Sequence, residues 1–135
     1  MMVFGVFSSH INKPSLDADK CKDRRGLGSY YSLVATGKSA KPMRIATYYR
    51  PNDKSRHKAP KKGRKTVFTQ HIREFKRQGI LKKDPRLEAN RYLVGDLKRW
   101  KAKGEEIILL GDFNQSIYKN KLATELTGPD LEMRE

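Results

Sequence analysis

The sequence has little of two things that would define its class: cysteine and long apolar runs. Its 135 residues include one cysteine, Cys21. One thiol excludes a disulfide within the chain and a zinc site built from several thiolates. Apolar runs such as Ile107 to Leu110 are far shorter than the roughly 20 residues of a membrane-spanning helix. We therefore predict an intracellular protein from a reducing compartment, with no membrane partner.

Acidic residues are also scarce relative to basic ones. The chain has 15 Asp and Glu against 30 Lys and Arg, a formal net charge of +15. A balance this basic favours a polyanionic partner, and nucleic acid is the first expectation. The length of 135 residues suits one domain, residues 1–135, with a modest core, although the hydrophobic content of 36% is low for a globular domain.

The pattern of apolar residues predicts an α/β fold with helices packed on a sheet. Asp84 and Pro85 are typical of a helix start, and the apolar face of that helix is predicted to hold Leu87, Leu93, Val94, Leu97 and Trp100. Val67, Ile72 and Phe75 are predicted to form the face of an earlier helix that Thr66 caps. The predicted strands are 2–7, 26–35, 43–49 and 107–110, with 26–49 as an antiparallel hairpin, and the predicted helices are 66–78, 84–103 and 119–126.

Two predicted strands end on polar residues. Asp112 and Asn114 follow the apolar run, while Tyr49 and Asn52 stand on either side of Pro51. If both strands lie in one core, these four side chains converge and can clamp a phosphodiester. The carboxylate would hold a divalent cation or orient water, and the donors would stabilise charge on phosphate oxygens. The alternative is that the residues after each strand only form turns.

The basic loop, residues 51–65, follows directly after Tyr49 and Arg50. It predicts a phosphate-binding strip, although a solvated loop with no ligand is the alternative. Residues 60–65 also resemble a nuclear import signal, so a nuclear location stays open. The predicted nucleic-acid contacts are Arg50, Asn52, Lys54, Arg56, Lys58, Lys61, Lys62, Arg64 and Lys65.

Together, these motifs resemble the endonuclease/exonuclease/phosphatase superfamily of DNase I-like proteins. The resemblance covers residues 23–135 and depends on Tyr-x-Pro-Asn at 49–52 and Gly-Asp-Phe-Asn at 111–114. Between them lies an amphipathic helix that leads into an apolar strand. The sequence is most similar in character to the retrotransposon-type endonucleases. The matched motifs belong to the central part of such a domain, so the resemblance implies a central fragment.

The resemblance implies a two-sheet α/β sandwich, a Mg²⁺ or Mn²⁺ cofactor and a nucleic-acid substrate, with DNA favoured and RNA as the alternative. It implies that Tyr49 contacts the scissile phosphate, that Asn52 binds a phosphate oxygen, and that Asp112 orients or deprotonates the attacking water beside the metal, which it would contact indirectly. Asn114 would position that group and stabilise the transition state.

The chain departs from the family pattern at both ends. No glutamate precedes Glu74, so the metal-binding glutamate that the family carries early in its fold is not matched. The family's closing Ser-Asp-His motif is not matched either. We therefore expect a domain truncated at both ends, with weak or absent hydrolysis by the chain alone. The alternatives are a non-catalytic basic nucleic-acid-binding protein and a phosphatase of the same superfamily.

Overall fold

The computed structural model describes residues 23, 27–36, 41–52, 66–80, 83–116 and 120–134. The predicted strand at 2–7 lies outside the described residues, and so does the basic loop from residue 53 to residue 65. The described ranges contain three strands and three helices.

The three strands form one mixed sheet. They are β1 (Tyr30–Ala35), β2 (Met43–Tyr49) and β3 (Glu106–Asp112), and they lie in the order β1-β2-β3. β1 and β2 pair antiparallel, which confirms the predicted hairpin, whereas β2 and β3 pair parallel. β1 starts later than predicted because the carboxylate of Asp23 accepts hydrogen bonds from the amides of Leu27 and Ser29, which holds that segment in a loop.

The three helices of the described chain are α1 (Val67–Arg77), α2 (Pro85–Ala102) and α3 (Lys121–Thr127). Thr66, Asp84 and Asn120 cap them, each through a side-chain oxygen that accepts an amide hydrogen bond in the first turn. The prediction of a small α/β fold is thereby confirmed as three helices and one mixed sheet. None of the helices in the described ranges is both long and apolar enough to cross a membrane.

α2 covers one face of the sheet and forms the core with it. Ala46 and Tyr48 of β2 pack in one buried cluster with Leu93, Leu97 and other residues of α2. The prediction that Leu87 belongs to this face is wrong, because Leu87 is 61% exposed. A helix turns by about 100° per residue, which places residue 87 on the far side from residues 89, 93 and 100.

The predicted face of α1 is confirmed at Phe75, which is buried, and is wrong at Val67, which is 37% exposed. His71, one turn before Phe75, is buried as well. The ring Nε2 of His71 lies 2.9 Å from the carbonyl oxygen of Leu27, which ties α1 to the loop before β1. Burial lowers the pKa of His71, against the opposing effects of this hydrogen bond and of Asp23. The neutral ring therefore has a structural role here.

Candidate functional site

The two sequence motifs meet at one edge of the sheet. β2 and β3 are parallel, and their register pairs Tyr49 with Asp112. The ladder continues one step further, since the amide of Arg50 donates to the carbonyl of Asp112 over 2.9 Å. Both strands thus end together, and residues 49–52 and 111–114 form a single rim at their carboxyl ends. This is the edge at which open α/β sheets commonly bind ligands.

Gly111 allows the two strands to approach closely at the rim. A Cβ atom at this position would lie 2.0 Å from the carbonyl oxygen of Tyr48, its partner in the ladder. The backbone φ of Gly111 is +153°, a value that residues with side chains rarely adopt. The glycine of the Gly-Asp-Phe-Asn motif is therefore required by local geometry and needs no direct role in chemistry.

The two tyrosines at the end of β2 point to opposite faces. Tyr48 is 2% exposed, and its hydroxyl donates to Oδ1 of Asn90 over 2.6 Å. Tyr49 is half-buried and borders a cavity at the rim, in agreement with the expected alternation along the strand. Burial raises the pKa of the Tyr48 phenol well above its usual range, although the nearby Arg50 guanidinium acts in the opposite direction.

The raised pKa of Tyr48 predicts a loss of stability in alkaline solution. Above pH 10.0, the ordinary value for tyrosine, the unfolded chain releases this proton while the folded chain keeps it. The free energy of unfolding should therefore fall as the pH rises above that value. Urea titrations at several alkaline pH values should show a shallower fall for Tyr48→Phe than for the wild type. Equal slopes would show that Tyr48 is not responsible.

Asn114 holds the rim together rather than extending into solvent. Its side-chain amide donates to the carbonyl of Arg50 over 2.7 Å, and its backbone amide donates to Oδ1 of Asp112 over 3.0 Å. Its φ of +46° lies in the left-handed region that asparagine tolerates better than most residues. Asn114 thus fixes both the end of β2 and the carboxylate of Asp112.

A cavity of about 510 Å³ opens beside the rim. Its walls come from the sheet, from the loop before β1 and from the first turn of α1. The residues that border it include Tyr49, Asp112, Leu27, Gly28, Val67 and Gln70.

The sequence did not predict the walls from the loop and from α1. The signal that could have found the loop wall is Asp23, which accepts two backbone amide hydrogen bonds. Its short side chain is typical of residues that hold a turn through backbone amides.

The described residues do not by themselves fit a resident Mg²⁺ or Mn²⁺ ion. No three His, Cys, Asp or Glu side chains in the described ranges are grouped so that they could hold a metal ion. At the rim, the carboxylate of Asp112 already accepts the amide of Asn114. Mg²⁺ prefers six oxygen ligands, and one carboxylate supplies a minority of them.

Of the other predicted nucleic-acid contacts, the structure describes two, Arg50 and Asn52. Asn52 is exposed just beyond Pro51, at the same end of β2 as Tyr49, whereas Arg50 is only 5% exposed. The predicted basic residues outside the described ranges are Lys54, Arg56, Lys58, Lys61, Lys62, Arg64 and Lys65.

Comparisons of the chain with protein-family models, with curated proteins and with solved structures found no match. The resemblance to DNase I-like proteins therefore remains a prediction from the two motifs. The structure shows that these motifs lie side by side at one edge of the sheet.

Proposed function

We propose that this chain is part of a metal-dependent phosphodiesterase domain of DNase I-like type that acts on DNA. The observation that supports this most strongly is the pairing of Tyr49 with Asp112 across two parallel strands. The two motifs are separated by about sixty residues in sequence, and a register shift of one residue would move one of these side chains to the opposite face.

In this proposal, the rim binds a phosphodiester through groups with different tasks. The phenol of Tyr49 donates to a phosphate oxygen, and Asn52, exposed at the same edge, donates to a second one. Asp112 orients the attacking water. Asn114 acts through Asp112, because its backbone amide fixes that carboxylate. Donors placed in advance where charge develops are the main source of catalysis in such sites.

A two-sheet sandwich is part of the same proposal. β3 is apolar on both faces: Ile107 and Leu109 pack on the core, while Ile108 and Leu110 are 41% and 54% exposed. A parallel strand that is apolar on both faces is usually covered on both. A second layer over this face would bury Ile108 and Leu110, and this supports the architecture that the resemblance implies.

The expected activity of the isolated chain is binding of DNA with weak or absent hydrolysis. Among the described residues, one carboxylate at the rim is too few ligands for a firmly held Mg²⁺ ion. The measurement is nicking of supercoiled plasmid by purified protein in Mg²⁺ or Mn²⁺. Nicking that is abolished by Asp112→Ala and kept by Asp130→Ala would overturn this expectation and establish an active enzyme. Asp130 is a suitable control because its side chain is 65% exposed and bonds to Lys98.

A non-catalytic nucleic-acid-binding protein is the second candidate, favoured by the net charge of +15. The two functions differ at Asp112. A phosphodiester site changes its affinity for DNA when this carboxylate is altered. A purely basic binder loses little affinity for DNA with Asp112→Asn, but it loses much affinity when the lysines and arginines of residues 54–65 are replaced. Fluorescence anisotropy with a duplex oligonucleotide separates the two.

A further inference from the structure

Within the described part of the chain, Arg50 is a buried cation without an anionic partner. The residue is 5% exposed, and its Nε has no hydrogen-bond partner among the described residues. Its guanidinium donates one long hydrogen bond within that part, from a terminal nitrogen to the carbonyl of Asn114 at 3.4 Å. Buried guanidinium groups are normally paired with carboxylates or other anions, because an unpaired buried charge is costly.

Arg50 follows Tyr48 by two residues, so the alternation along the strand directs its side chain to the same face, the one that α2 covers. The hydrogen bond between Tyr48 and Asn90 places the beginning of α2 over the end of β2. After burial, the largest influence that lowers the pKa of Arg50 is Arg86, in the first turn of α2; Tyr48 and Asp84 act in the opposite direction. Two arginines are therefore gathered next to a helix N-terminus, whose dipole is also positive.

Asp84, the described carboxylate that raises the pKa of Arg50, is engaged with another group. Asp84 caps α2 by accepting the amide of Arg86 over 2.7 Å. Glu88, one turn further along, bonds to Lys83 and Arg91. Among the described residues, the guanidinium of Arg50 is hydrogen-bonded to a carbonyl group only. The local charge is thus arranged for an added anion.

We propose that Arg50, together with Arg86 and the first turn of α2, binds a phosphate group on the helix side of the rim. This site lies across the sheet edge from Tyr49, whose side chain points to the opposite face from that of Tyr48 and borders the cavity. The planar guanidinium matches two phosphate oxygens at once. If the phosphate belongs to DNA, this inference rests on the proposed function. The phosphate bound by Arg50 would then be a neighbour, along the DNA, of the phosphodiester bound at Tyr49.

The direct test is a titration of the chain with inorganic phosphate, followed by the side-chain Nε–H signals of arginine in ¹⁵N NMR spectra. The Arg50 signal is identified by its loss in Arg50→Lys. We expect it to shift saturably with phosphate and not with chloride at equal ionic strength. The Arg77 signal is an internal control, since Arg77 is exposed and already bonded to Glu74, and it should not shift. An Arg50 signal that stays in place, or that moves equally in chloride, overturns the site.

A second measurement identifies the source of the phosphate. The affinity for duplex DNA is determined over a range of salt concentrations, and each phosphate contact contributes about 0.9 to the slope of log K against log salt. Arg50→Gln should reduce the slope by about 0.9, whereas Lys103→Gln, at the other end of α2, should not change it. A phosphate-dependent NMR shift with an unchanged slope assigns the site to a free phosphate. Failure of the wild type to bind DNA would refute the proposed function without affecting the NMR result.

Discussion

Gly111→Ala is expected to destabilise the protein by about 3 kcal/mol or more, by the combined costs of steric overlap and backbone strain. The added methyl group would lie 2.0 Å from the carbonyl oxygen of Tyr48 and 2.8 Å from its carbonyl carbon. These are backbone atoms of the central strand, so they cannot move without breaking the pairing of β2 with β3. Urea denaturation of the variant measures the loss directly.

The matched control is Gly95→Ala. Gly95 lies within α2 and is exposed, and a Cβ atom there would meet nothing within 4 Å among the described residues. Alanine is favoured over glycine inside a helix by about 1 kcal/mol, so this variant should be more stable than the wild type. If both variants changed the free energy of unfolding by similar amounts, the close approach of the two strands at Gly111 would not be the cause.

The polar residues at the end of each strand were predictable because their positions depend on local rules, whereas the pairing that brings the two strand ends together was predicted only as a condition. Alternation along β2 separates Tyr48 from Tyr49, and the apolar run before Gly111 indicates a strand. Thr66 and Asp84 likewise marked the starts of their helices through capping preferences that span a few residues. In each case the determining atoms belong to neighbouring residues, so the sequence contains the whole argument.

The remaining contacts of the site were not predictable because they join distant segments. The side-chain amide of Asn114 bonds to the carbonyl of Arg50, and His71 approaches the carbonyl of Leu27. Backbone carbonyls are acceptors in every residue, so nothing in the sequence selects these two. Leu87 is the opposite case, because the sequence predicted a buried position that the structure does not have. It matched an apolar spacing with Val94, but the direction of the buried face of α2 is set by the sheet beneath it.

The ion pair between Arg44 and Glu105 should be the most sensitive polar contact outside the rim. The two side chains are only 8% and 9% exposed, and Nη2 of Arg44 lies 3.1 Å from Oε1 of Glu105. Arg44 also bonds to the hydroxyl of Ser32 and lies over the ring of Trp100 at 4.4 Å. Glu105→Gln keeps the shape but leaves a buried cation without its counter-charge, which should cost about 3 kcal/mol in urea denaturation.

Two further variants separate the cost of an unpaired charge from the loss of an ordinary hydrogen bond. Removing both charges with Arg44→Met and Glu105→Met should recover much of the lost free energy of unfolding, because it is the single unpaired buried charge that destabilises the fold. Glu74→Gln disrupts the contact of Glu74 with Arg77, which is exposed, and should change the free energy of unfolding little. A double variant less stable than Glu105→Gln would instead show that the pair stabilises the fold by its own attraction. In that case Arg44 and Glu105 would contribute net stability at the base of β2, where the amide of Glu106 bonds to the carbonyl of Pro42.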